Sequence, residues 1–200
     1  MKIICIGRNY AQHAKELGNE APTEPVFFCK PDSAILPKGT AFYIPHFSND
    51  VHHEVELVLR IERLGKNIQP EFAHRYFSSV GLGIDFTARD VQQQLKEKSL
   101  PWEKAKGFDG SAVISQEFIP LPNTSIQFSL EKNGQPVQQG NSDDMIFSFS
   151  QIVAYVSQFM TLKIGDFIFT GTPAGVGAVA PDDVLEGYIG SQKMFSIKVK

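Results

Sequence analysis

The sequence has little cysteine, little tryptophan and no long apolar run. Cys5 and Cys29 are the two cysteines, and there is one tryptophan in 200 residues. Two thiols with no secretory leader read as free cysteines rather than a disulfide. Neither sign of charge dominates, since the net charge is -3 and 20% of residues are charged. That balance leaves no basic footprint for nucleic acid. No segment approaches the roughly 18 consecutive apolar residues of a membrane-spanning helix. The apolar opening, residues 1–7, is too short for a signal peptide and reads as a strand. Asn123-Thr124-Ser125 matches a glycosylation acceptor, which without an export signal counts as chance. The expected location is cytoplasmic. Internal repeats, low-complexity tracts and clear linkers are also lacking. One domain over residues 1–200, of α+β class, is expected.

What is present is ordinary for a folded protein: 42% hydrophobic residues, with 16 phenylalanines that predict a Phe-rich core. The most informative stretch is Glu54-Val55-Glu56-Leu57-Val58-Leu59. Residues two apart on a strand share a face, so Glu54 and Glu56 project side by side while Val55, Leu57 and Leu59 line the other face. Neighbouring carboxylates on an apolar strand are costly unless something positive lies between them. Asp85 supplies a third acid after the Gly-spaced run Val80-Gly81-Leu82-Gly83-Ile84. Three carboxylates without cysteine suit a hard ion, Mg2+ or Mn2+. The alternative is that Glu54 and Glu56 line the wet face of a half-exposed strand. His52, two residues before Glu54, is a minor further candidate ligand.

Residues 2–6 read as a strand and Ala11 to Leu17 as a short helix closed by Gly18. His13 and Glu16 share a face of that helix. A carboxylate-held imidazole is a standard general base, although the local sequence alone reads first as a surface ion pair. A proline-rich stretch, residues 20–45, holds the predicted strand Val26 to Cys29 and reads as a surface wrap or a lid. Pro70 to Ser79 reads as a helix, and so does Thr87 to Lys98, with Thr87 as its cap. Gln92 lies near the start of the latter and can face the same cavity as Asp85. Lys104 to Gly110 reads as a basic loop. Asn133-Gly134 predicts a type I′ hairpin within residues 126–140. Ser148 to Met160 reads as an amphipathic helix burying Ile152, Val153, Tyr155, Val156 and Phe159. The loop Thr170 to Gly177 follows a strand and can offer backbone N–H groups, Gly171 among them, to an anion. It is neither a Walker loop nor a dinucleotide fingerprint. Lys193 to Lys200 alternates as a strand.

Five segments together resemble the fumarylacetoacetate hydrolase family, and within it the short acylpyruvase and oxaloacetate decarboxylase-like members. They are Gly7-Arg8-Asn9-Tyr10-Ala11-Gln12-His13-Ala14-Lys15-Glu16, His53-Glu54-Val55-Glu56-Leu57, Gly83-Ile84-Asp85-Phe86-Thr87-Ala88-Arg89-Asp90, Lys106-Gly107-Phe108-Asp109 and Thr170-Gly171-Thr172-Pro173-Ala174-Gly175-Val176-Gly177. The resemblance implies a mixed β-roll with flanking short helices, as a homodimer, without the N-terminal domain of larger relatives. It implies Mg2+ or Mn2+ on Glu54, Glu56 and Asp85. It gives His13, Glu16 and Lys106 catalytic parts, reversing the surface-pair reading of the first two, and makes Arg8, Gln92, Gly171 and Thr172 substrate contacts. The implied substrate is a small β-keto acid of the pyruvate type, processed through an enolate by C–C hydrolysis or decarboxylation. An isomerase of aromatic catabolism on the same site, or a non-catalytic metal-binding protein on the same fold, is the alternative. A cupin-like site is disfavoured, because it needs a His-rich ligand set.

Overall fold

The structure is a computed structural model and describes residues 1–12 and 21–200. Three sheets are present among the described residues. The largest is mixed and runs in the order β2 (Val26–Lys30), β1 (Ile3–Gly7), β11 (Phe167–Phe169), β4 (Val55–Arg60), β5 (Ser79–Asp85), β7 (Ala112–Ile114), with β8 (Ile119–Pro120) also on β5. Only the β1–β11 pairing in it is parallel. A four-stranded antiparallel sheet has the order β10 (Gln135–Asn141), β9 (Gln127–Lys132), β13 (Val184–Ile189), β14 (Gln192–Lys198). A small sheet joins β12 (Gly177–Ala178), β3 (Val51–His53) and β6 (Thr87–Ala88). Short helices α1 (Arg89–Glu97), α2 (Glu103–Lys106) and α3 (Phe149–Phe159) flank them. The α+β class with short flanking helices is therefore as the sequence implied.

The alternation in β4 decides where the core sits. Val55, Leu57 and Leu59 enter the larger apolar cluster, with Ile4, Leu82, Leu130 and Ile152 drawn from other elements. Val58 enters a smaller cluster with Ile3, Cys5, Ala112 and Phe169. Glu54 and Glu56 continue the face of Val58, so the smaller cluster floors the acidic site. Asn133 and Gly134 have φ of 55° and 73°, the two positive values a type I′ turn needs. Ser148 and Gln151 form a capping box that starts α3.

Several elements differ from the sequence reading. Thr87 does not cap a helix. It pairs with His52 in the small sheet, and α1 begins two residues later. Strand pairing takes the backbone that capping would have used. Asp90 serves the helix start instead, accepting from Ser48 Oγ at 2.6 Å and the Asn49 N–H at 2.9 Å. The Pro70 segment is a 3-10 helix ending at Tyr76. Residues 103–106 form a helical turn that overlaps the start of the stretch read as a loop. Tyr155 and Phe159 are not core. They gather with Phe27 near the surface, where Phe159 is 58% exposed. The proline-rich stretch is pinned by Phe42, which is fully buried and stacks on Phe86 at 3.8 Å between centroids. The predicted helix beginning at Ala11 falls mostly outside the described residues, and the pair His13 and Glu16 lies there entirely.

Asp166 fastens the start of β1 to the turn before β11. Its carboxylate accepts from the Lys2 N–H and the Lys163 N–H, both at 2.8 Å, and pairs with the Lys2 ammonium. Burial pushes this carboxyl up, but the hydrogen bonds from Lys2 and Lys163 outweigh it and hold it below the ordinary range. A depressed carboxyl stabilises the fold above the unfolded value of about 3.9 and loses that contribution as pH falls through the folded value. Asp166→Asn is therefore expected to destabilise at pH 7 by roughly 1–3 kcal/mol. The gap from wild type should narrow below about pH 4. Urea titrations at both pH values check this.

Candidate active site

Glu54 occupies the single-residue break between β3 and β4, where the chain passes from the small sheet to the large one. Its carbonyl accepts the Asp85 N–H at 2.8 Å, which fixes the end of β5 beside it. Glu56 lies one step into β4, opposite Gly83. A Cβ at Gly83 would meet the Val113 carbonyl at 2.5 Å, so this crowded position admits no side chain. The three acids are 5%, 2% and 1% exposed for Glu54, Glu56 and Asp85. One carboxylate oxygen from each lies within 4.8 Å of the other two. The wet-face alternative fails, because these groups are buried.

Three cations meet them. Lys106, at the end of α2, places its ammonium 2.7 Å from Glu54 Oε2, 2.7 Å from Asp85 Oδ2 and 2.5 Å from Thr87 Oγ1. Arg89 Nη2 lies 2.5 Å from Glu54 Oε1, and Nη1 donates to Gln92 Oε1 at 2.8 Å. Lys30, at the end of β2, is 2.7 Å from Asp85 Oδ1 and bonds Ser111 Oγ at 3.0 Å. Burial pushes the Lys106 ammonium down, but Asp85 and Glu54 outweigh it and the net direction is up. Glu56 is shifted upwards too. Burial, then the charges of Asp85 and Glu54, push its carboxyl well above the usual range. It accepts a 2.6 Å hydrogen bond from the Gly171 N–H.

The cleft above the acids is lined by Arg8, Gln92, Lys106 and Thr172, together with Trp102 and Lys96. Six of the residues proposed from the sequence thus converge with Asp85 on one space, and Gly171 reaches it through Glu56. Arg8 has φ of 59°, a left-handed conformation costly for a non-glycine residue. Gly171 has φ of 105°, and a Cβ there would meet the Asn9 Cβ at 2.6 Å. Burial, with the like charges of Arg89 and Arg8, pushes the Lys96 ammonium down. His52 is not in the cleft; its Nε2 lies 2.9 Å from Asp50 Oδ1. It follows Glu54 in strand parity, but the break at Glu54 ends that parity.

Sequence reasoning missed Lys30 and Asn9. Lys30 is a charged residue closing an apolar strand, which was its only signal. Asn9 is fully buried and holds three points of the chain. It donates to Phe147 O at 3.0 Å and Thr170 O at 2.8 Å, and accepts the Phe147 N–H at 2.8 Å. Its role is to seat the Gly-rich loop against the bend after β1 that carries Arg8.

Buried acids, lysines and a hydroxyl converging on one cleft are the marks of an enzyme. The profile of the Fumarylacetoacetate (FAA) hydrolase C-terminal family matches residues 2–196, and the chain belongs to the fumarylacetoacetate hydrolase family. It is 48% identical over 192 residues to a mitochondrial oxaloacetate decarboxylase of Dictyostelium discoideum, covering 92% of this chain and 87% of that one. It is 42% identical over 202 residues to the mitochondrial oxaloacetate tautomerase of Rattus norvegicus, covering 99% and 91%. Among solved structures it resembles the fumarylpyruvate hydrolase of Pseudomonas aeruginosa in complex with Mn2+ and pyruvate. That match has a TM-score of 0.92 and 36% identity, over 100% of this chain and 89% of that one.

The donor set fits a hard divalent cation. It offers oxygen ligands only, from three buried acids already gathered within 4.8 Å. Glu56→Ala removes one of the three and is expected to abolish Mn2+ binding in calorimetry while the circular dichroism spectrum stays that of the wild type. Unchanged affinity in the folded variant contradicts the site.

Proposed function

We propose that this chain processes β-keto acids of the pyruvate type, by decarboxylating oxaloacetate and hydrolysing 3-acylpyruvates, with Mg2+ or Mn2+ held by Glu54, Glu56 and Asp85. The observation that carries the reading is the convergence of Lys106 and Thr172 on the three-acid cluster in one cleft. The relatives' named activities on oxaloacetate, and the Mn2+ and pyruvate bound in the Pseudomonas enzyme, support it. When bound, the cation supplies Lewis-acid polarisation of the substrate's 2-keto and carboxylate oxygens.

The remaining steps belong to the chain's own residues. Arg8, at the cleft wall, attracts the anionic substrate. In decarboxylation the bond to the departing carboxylate breaks, and its electron pair moves towards the 2-keto oxygen to give an enolate. Lys106 and Thr172 meet the charge that gathers there. Hydrolysis reaches the same enolate, but water must first attack the distal keto carbon, and that attack needs a base. We assign this to His13, oriented by Glu16, from the family resemblance. Tautomerisation of oxaloacetate, the activity in the rat relative's name, would pass through the enolate of the intact substrate, held by the same groups, and is the second reading.

These roles separate in kinetics. His13→Ala is expected to slow acetylpyruvate hydrolysis by about 10²–10⁴-fold, the usual contribution of a positioned base, and oxaloacetate decarboxylation far less. Lys106→Ala is expected to slow both. Equal losses for His13→Ala on the two substrates refute a dedicated water-activating base.

We also propose a homodimer. Phe47 is 53% exposed and packs edge-on against Phe108, beside Val91, leaving an apolar surface of the kind a partner covers. Light scattering is expected to report twice the chain mass of 22.2 kDa. A monomer at micromolar concentration rules the dimer out.

A further inference from the structure

Gln138 lies on β10 in the four-stranded sheet, yet its side chain is buried and reaches the active-site loop. A β-bulge brings it there. Pro136 pairs with Glu131 and Gln138 with Leu130, so Val137 is the extra residue of the bulge. That insertion re-aims the following side chain and turns a polar residue inwards.

Every hydrogen-bonding position of the carboxamide is used. Oε1 accepts the Val55 N–H at 3.0 Å and lies 2.9 Å from His53 Nδ1. Nε2 donates to the Pro173 carbonyl at 3.0 Å and to Thr172 Oγ1 at 2.9 Å. The orientation of this amide is fixed by backbone groups of known polarity. Turned over, it would set a donor against the Val55 N–H and an acceptor against the Pro173 carbonyl. The NH2 group therefore faces Thr172, and Thr172 Oγ1 accepts a hydrogen bond from it. The hydroxyl's own proton must point elsewhere, and Thr172 lines the cleft with Glu56 and Lys106.

We propose that Gln138 is a positioning residue that turns the Thr172 hydroxyl proton into the cleft, onto the substrate oxygen where charge develops. The assignment rests on the enolate reading above. Gln138 itself touches no substrate. It acts by occupying the lone pair of Thr172 that would otherwise leave the hydroxyl free to rotate. It also holds the residues on both sides of Glu54, at the His53 imidazole and the Val55 backbone N–H, so the same amide sets the donor and braces the acid.

Gln138→Glu separates the two roles. The variant keeps the side-chain shape and both acceptor contacts, to Val55 and His53. It loses the donors to Thr172 and to the Pro173 carbonyl, and its carboxylate instead accepts a hydrogen bond from the Thr172 hydroxyl and draws that proton out of the cleft. Removing one preorganised donor of this kind costs about 10²–10³-fold in kcat. Gln138→Glu and Thr172→Val should each show a loss of that order on oxaloacetate, with KM changed far less than kcat. The double variant should be no slower than Thr172→Val alone, because both changes remove one interaction. A double variant that shows the product of the two losses overturns the assignment, and so does a folded Gln138→Glu enzyme with wild-type kcat. Neutron diffraction of the deuterium-exchanged wild-type protein reads the same arrangement without a variant. Two deuterons on Gln138 Nε2, with the Thr172 deuteron turned away from Gln138, are expected. A Thr172 deuteron directed at Gln138 overturns the proposal. A wild-type enzyme inactive on all β-keto acids overturns the enolate reading instead, and the neutron map then still decides the orientation of Thr172.

Discussion

Glu54, Glu56 and Asp85 repel one another across no more than 4.8 Å at their closest set of oxygens, in a place where little water reaches. At an effective dielectric near 20, each such pair costs about 3–4 kcal/mol. The fold tolerates this because Lys30, Lys106 and Arg89 each contact one or two of the acids, giving three formal positive charges against three negative. Glu56 is the acid that none of these three contacts among the described residues. It is also the one whose carboxyl is pushed well above its usual range. A divalent cation placed between the three acids relieves the residue that the protein's own cations leave out. The chemistry proposed for the site and the electrostatics of the fold therefore ask for the same ion.

Delivering those groups takes contributions from distant parts of the chain. The first sheet supplies Glu56 and Asp85 from adjacent strands, opposite a position where only glycine fits. The loop after β11 supplies Thr172 and the Gly171 N–H, and Asn9 ties that loop to the bend after β1 that bears Arg8. The hairpin of another sheet supplies Gln138. No single supersecondary unit holds the site, which is why its precision depends on the pairing of whole sheets.

Much of this was legible from local periodicity. Strand parity put Glu54 and Glu56 on one face, and the Asn-Gly turn located the hairpin, because both rest on interactions within a few residues. The resemblance supplied Lys106 and Thr172, which no local pattern marks. Three features escaped. Lys30 reads as a strand-ending charge until the fold brings Asp85 to it. Thr87 carries a cap signal that strand pairing with His52 overrides. Gln138 looks like a solvent-facing strand residue, and only the bulge at Val137 turns it inwards, a change of parity that no propensity announces. His52 was misplaced for the related reason that parity does not survive the break at Glu54.

That break has a thermodynamic consequence. Glu54 is the one residue between a strand of the small sheet and a strand of the large one, so it is a joint as well as a site acid. Parting the two sheets displaces a carboxylate of the cluster, and anything that binds the intact cluster resists their parting. Occupancy of the site and mutual docking of the sheets are thus linked equilibria, and ligand affinity becomes a source of cooperativity for the whole chain. The small sheet as a whole, β12 included, then gains or loses protection against local opening according to what the cleft holds.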